Sequence, residues 1–155
     1  MIGASFDLPP EMAVRFFRQK GLAPTFDHRD MLGDEHAKAF TVAKMMQVDL
    51  LADVKEALDQ AIADGTALRD FIEQLTPILQ AKGWWGRQEV TDPETGNVIT
   101  AQLGSAYRLE TIFRTNMQTS YAAGQWQKIE ETKDEAPYLL YDAIDDGRTR
   151  HSAKL

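Results

Sequence analysis

Two stretches of the chain concentrate side chains able to do chemistry. In the first, Arg108, Arg114, Thr115, Asn116 and Gln118 follow one another closely, with Tyr121 just beyond. At about 100° per residue, Asn116 falls at the edge of an apolar helical face. A buried amide must find partners and can fix how two elements dock. The group therefore reads as a structural polar network, with a binding or catalytic site as the alternative. In the second stretch, Asp142, Asp145, Asp146, Arg148, Thr149, Arg150 and His151 lie together near the end. Clustered carboxylates suit a hard cation, and a carboxylate beside a histidine can run acid–base chemistry. Asp-Asp-Gly is equally a turn sequence whose acids pair with neighbouring arginines. The spacing matches no calcium loop, so the reading is a turn with salt bridges and no metal.

The remaining candidates are sparser. His28 and His36 are eight apart and fit no zinc spacing; His36 falls on the apolar side of a helix begun at Asp34. Trp84-Trp85, with Arg87 close by, could stack on bases. Adjacent rings after a glycine more often close a core or anchor a protein interface. No glycine-rich phosphate loop, catalytic serine triad ordering or cysteine nucleophile stands out. No enzyme and no cofactor is expected from these residues.

Composition narrows the classes. The 155 residues are 43% hydrophobic and 26% charged, with a net charge of −7 and no cysteine. A disulfide or cysteine-based zinc site within this chain is excluded. Residues 1–82 carry 9 basic and 13 acidic side chains, and residues 83–155 carry 8 and 11. Without a basic block, broad electrostatic binding to nucleic acid is disfavoured. No apolar run approaches the roughly 20 residues of a membrane helix, and the start MIGASFDLPP lacks the pattern of a secretory signal.

These residues need a frame, and the patterning predicts a mainly α, or α+β, fold. Leu8-Pro9-Pro10 leads into a short helix, with Asp7 as a cap and Gly21 as a stop. Ala23-Pro24-Thr25 reads as a connector. Asp34 caps a long helix to about Asp64, with Phe40, Ala43, Leu50, Leu51, Val54, Leu58, Ala61 and Ile62 on one stripe. Val42 and Met45 fall off that stripe, so the upper half has two apolar faces and allows a break. Gly65 ends it and Thr66 caps a helix through Leu68, Phe71, Ile72 and Leu75, which Thr76-Pro77 should interrupt. A β-hairpin follows near 87–101, turning at Asp92-Pro-Glu-Thr-Gly-Asn97. From Gly104-Ser105 a helix runs to about Glu131, with Leu109, Ile112, Phe113, Met117, Tyr121 and Gly124 on one face. A late strand is expected near 138–144. The chain divides into an N-terminal helical region, 1–83, and a hairpin-plus-helix region, 84–155.

Taken in order, five phrases resemble the phage Mu F-like minor head protein family across nearly the whole chain. They are PPEMAVRFFRQKG; FDHRDMLGDEHAKAFTVAKMMQVDLLADVKEALDQAIADGT; FIEQLTPILQAKGWWG; YRLETIFRTNMQTSYAAGQW; and PYLLYDAIDDGRTR. The resemblance implies a low-copy component of tailed-phage heads, found in the virion and, during assembly, in the host bacterial cytoplasm. Implied partners are the portal or other head proteins, with packaged DNA and further copies of the chain as additional contacts. No membrane is implied. The positions matching its best-marked phrases are Arg114, Thr115, Asn116, Gln118 and Tyr121, then Tyr138, Tyr141, Asp142, Asp146, Arg148, Thr149 and Arg150. They carry over as structural or interaction positions, with Trp84 and Trp85 as interface aromatics. The family pattern continues past its Arg-Thr-Arg phrase with a histidine and a cysteine-containing end. Here His151 follows Arg150 directly and Ala153 stands where that histidine is expected, so the chain reads as lacking the family's C-terminal part. A nucleotide- or metal-binding enzyme using the Asp-Arg-Thr-Arg-His end, and a nucleic-acid module using Trp84, Trp85 and Arg87, remain as alternatives.

Overall fold

Helix α1 (Glu11–Arg18) opens the computed structural model, which describes residues 11–27, 29–31 and 35–139. Glu11 in its first turn and Arg15 and Arg18 near its end complement the helix dipole. Ala13, Val14 and Phe17 share its buried face, and Phe17 meets Phe40 edge-on at 5.7 Å. The expected Asp7 cap lies outside the described residues.

The expected long helix from 34 to 64 is not continuous, and this is the main correction to the sequence reading. A single turn, α2 (Glu35–Lys38), gives way to β2 (Ala39–Phe40), which pairs in parallel with β1 (Gly21–Leu22). An isolated bridge between Thr25 and Ala43 extends the pairing. The segment read as a connector is thus one side of a small parallel ladder. Within Phe40-Thr41-Val42 the burial alternates, with Phe40 and Val42 inside and Thr41 only half-buried. That period of two belongs to extended chain. Lys44 then takes a left-handed φ of 65°, which no α-helix accommodates, and its N–H reaches the carbonyls of Thr25 and Phe26. The off-stripe Val42 and Met45 were the sign of this break, and both are buried.

Helix α3 (Val48–Asp64) keeps the expected stripe of Leu50, Leu51, Val54, Leu58, Ala61 and Ile62. Gly65 ends it at a φ of 67°, with its N–H on Ala61 O. Helix α4 (Leu68–Ala81) starts from Ala67 rather than Thr66 and runs straight through Pro77. The expected interruption is absent because Pro77 and Glu73 both lie on the exposed side. The carbonyl that loses its helical donor there can turn to water.

Strands β3 (Arg87–Thr91) and β4 (Val98–Gln102) form the expected hairpin, in register from Arg87–Gln102 to Thr91–Val98. Asp92 shapes its turn by accepting from the Glu94 N–H at 2.9 Å. Helix α5 (Ala106–Thr132) is the long helix of the fold, about 40 Å at 1.5 Å per residue. Ser105 caps it, Oγ accepting from Arg108 N–H at 3.1 Å. Gly124 lets α1 approach closely: a Cβ there would lie 2.9 Å from the Ala13 backbone nitrogen. One core joins Phe17, Phe40, Leu58, Phe71, Trp84, Leu103 and Leu109, crossing the expected boundary at residue 83. Tyr138 and Leu139 carry no regular structure, and the rest of the expected late strand lies outside the described residues. Among the described residues, no helix is long and apolar enough to cross a membrane.

Candidate interaction site

Arg108 and Trp84 form the joint at which the hairpin, α5 and the chain after β2 converge. Trp84 follows α4 and is buried, its indole Nε1 donating to Lys44 O at 2.9 Å. The left-handed turn at Lys44 is what presents that carbonyl. Arg108 lies in the first turn of α5, its guanidinium 4.8 Å from the Trp84 ring centroid. It donates at 2.8 Å to each of Gln102 O, Leu103 O and Ala43 O. Burial pushes the Arg108 guanidinium below its ordinary pKa, while three carbonyls take its hydrogens. Gly104 completes the joint, because a Cβ there would come within 2.6 Å of the Trp85 ring and closer still to Trp84 O. Trp85 is half-buried and packs on the core. Trp84 therefore has neither a free ring face nor a free N–H for stacking on a base, which removes the basis for a nucleic-acid module built on it.

The polar residues of α5 are spread around the helix rather than gathered in one network. Exposed Arg114 pairs with Glu110 at 2.7 Å, one helical turn away. Asn116 Nδ2 donates to Ile112 O at 2.8 Å. Gln118 and Thr115 are exposed and Tyr121 is half-buried. Thr115 and Asn116 do share a groove with Lys20, His36 and Thr41, between α1, β2 and α5. Lys20 was not singled out in the sequence; nothing in FRQKG marks a lysine that will be enclosed. Asp142, Asp145, Asp146, Arg148, Thr149, Arg150, His151 and also His28 lie outside the described residues. Among the described residues, no three histidine or acidic side chains come together as a metal site would require.

Large apolar side chains remain on the surface. Tyr107 is 78% exposed and Trp126 56%, both on α5, and Val98 and Ile99 project from the hairpin. Exposed aromatics along one helix are a common feature of protein-contacting surfaces.

The geometry defines a helical packing module with a protruding hairpin, and comparison with known proteins places it in a family. Residues 52–154 match the family described as Phage Mu protein F like protein. The chain is 43% identical over 143 residues to a protein F of Escherichia phage Mu that carries a provisional capsid assembly name. That alignment covers 92% of this chain and 32% of the relative. It is also 44% identical over 128 residues to the Mu-like prophage FluMu F protein of Haemophilus influenzae strain Rd, covering 83% of this chain and 30% of that protein. No solved structure matches. This chain belongs to the phage Mu F-like family and spans about a third of the length of the two relatives.

Proposed function

We propose that this chain is part of a minor head protein of a tailed phage or prophage, acting through protein contacts in head assembly or DNA delivery. The observation that carries this reading is the 43% identity, over 92% of the chain, to a phage Mu protein named for capsid assembly. The exposed Tyr107 and Trp126 and the hairpin's Val98 and Ile99 support a role in contact rather than chemistry. In this reading the chain has no catalytic activity, works in the host cytoplasm during assembly and stays in the head of the virion. Its partner is the portal or another head protein.

The test uses the full-length protein in an induced prophage. Tagged protein should be recovered in purified heads at low copy. It should also form a complex of defined stoichiometry with the cognate portal protein in size exclusion with light scattering. Absence from heads together with no portal complex overturns the proposal.

A further inference from the structure

We propose that the groove between α1, β2 and α5 is an oxyanion site that takes a carboxylate or phosphate group on Lys20, Thr115 and Asn116. This stands apart from the head-assembly reading and rests on the groove alone. The groove encloses about 480 Å³. Lys20 lines it and is only 7% exposed. Among the described residues the ammonium rests on the face of Phe16, 5.0 Å from the ring centroid. Among the described residues no carboxylate lines the groove. Several exposed cations hold acids, as Arg18 holds Asp59, Lys82 holds Asp49 and Asp53, and Arg114 holds Glu110, and the buried Arg108 is met by three carbonyls. Lys20, by contrast, has neither an acid nor a carbonyl on its ammonium among the described residues.

An enclosed ammonium without a counter-charge is costly, since desolvation opposes its charged form. Burial accordingly lowers the Lys20 pKa. The polar groups around it are donors with capacity to spare. The Asn116 amide gives one hydrogen to Ile112 O and keeps the other. The Thr115 hydroxyl has no hydrogen-bond partner among the described residues, while its carbonyl is taken by Thr119. His36 adds a ring that can donate at the rim. A groove lined by a lysine, a threonine and an asparagine, with no acid among its described lining residues, is complementary to oxygen anions and repels cations.

The experiment is a nuclear magnetic resonance titration of the chain with inorganic phosphate and, separately, with acetate, at constant ionic strength set by chloride. The expected result is a saturable shift of the Lys20 Cε signal and of the Thr115 and Asn116 amides. Half-saturation in the millimolar range corresponds to a small single-site anion. Saturation by phosphate alone identifies a phosphate source, by acetate alone a carboxylate source, and by both a general oxyanion site. Lys20→Met should weaken binding at least about tenfold, the loss of one charge-assisted contact. Should K20M fail to fold, T115V, at an exposed helix position, should still weaken binding measurably. No saturable change at Lys20 with either anion overturns the proposal. So does binding unchanged in K20M or, if K20M does not fold, in T115V.

Discussion

The guanidinium of Arg108 covers the ring of Trp84, and through three carbonyl contacts it ties residues 43, 102 and 103 to the first turn of α5. Neither residue could hold this joint alone. Trp84 fixes the chain at Lys44, and Arg108 fixes it one residue earlier while closing the base of the hairpin.

Arg108→Lys should expose how much that fork contributes. A lysine keeps the charge and some stacking but cannot reach three carbonyls in the same plane. Leaving buried carbonyls short of a donor costs about 1–3 kcal/mol. At about 2–4 °C per kcal/mol for a chain of this size, thermal unfolding should fall by several degrees. Tryptophan emission should move to the red as water reaches Trp84.

Two glycines should be intolerant for reasons of space rather than conformation. Gly104→Ala drives a methyl into Trp84 O and the Trp85 ring, and Gly124→Ala drives one into the backbone of Ala13. Backbone neighbours cannot rotate away, so overpacking of about 1–3 kcal/mol is expected at each. Gly65→Ala is the control. It meets no neighbour, but its φ of +67° makes a left-handed alanine cost about 1 kcal/mol. Urea unfolding of the three variants should rank G65A as the mildest.

Ser120 is fully buried on α5, and among the described residues its hydroxyl has no hydrogen-bond partner. Removing it should therefore be neutral or stabilise by up to about 1 kcal/mol, because an unmet polar group is deleted without loss of volume elsewhere. A clear loss of stability in S120A, read by chemical denaturation, would show that the hydroxyl is used.

These effects bear on what a sequence can reveal. The hairpin, the α3 stripe, the Gly65 stop and the start of α5 at Ser105 were legible because each is set by local pattern and turn chemistry. The fate of residues 35–47 was not. Their apolar spacing fits a helix as far as Ala43, and only pairing with residues 21–25, far away in sequence, favours the extended form. Thr76-Pro77 misled for a related reason: a proline is a breaker only when the carbonyl it orphans has nowhere to turn. The candidate site was half visible. Thr115 and Asn116 could be picked out as polar residues at the edge of an apolar face. Lys20 could not, because its enclosure depends on β2 and α5 closing over α1.

The exposed ion pairs joining Lys82 to Asp49 and Asp53 should give a defined pH signature. The hydrogen bond from Lys82, then that from the Leu50 N–H, holds the Asp49 carboxyl below its ordinary 3.8, and the Asp53 and Asp49 carboxylates hold Lys82 above its ordinary 10.5. A depressed acid stabilises the fold above its ordinary pKa and loses that effect as pH falls through the lower, folded value. A raised base stabilises below its ordinary pKa and loses the effect as pH rises through the higher one. Lys82→Met should thus melt below the parent between about pH 5 and pH 9, with the gap closing at both extremes. The gap should be small, as these groups are well exposed, and should shrink in high salt. A gap that persists at pH 2 would mean Lys82 acts through its stem instead.

The seating of Ala13 against Gly124 has a consequence for how the chain is made. Helix α1 leaves the ribosome well before α5, because its resting place on α5 is encoded more than a hundred positions later. At bacterial synthesis rates that is a wait of roughly 5–20 s. Throughout it, Val14 and Phe17 have no α5 to pack against. The nascent chain is then a client for chaperones or premature partners, and any product cut short before residue 124 keeps open the part of that face that α5 covers.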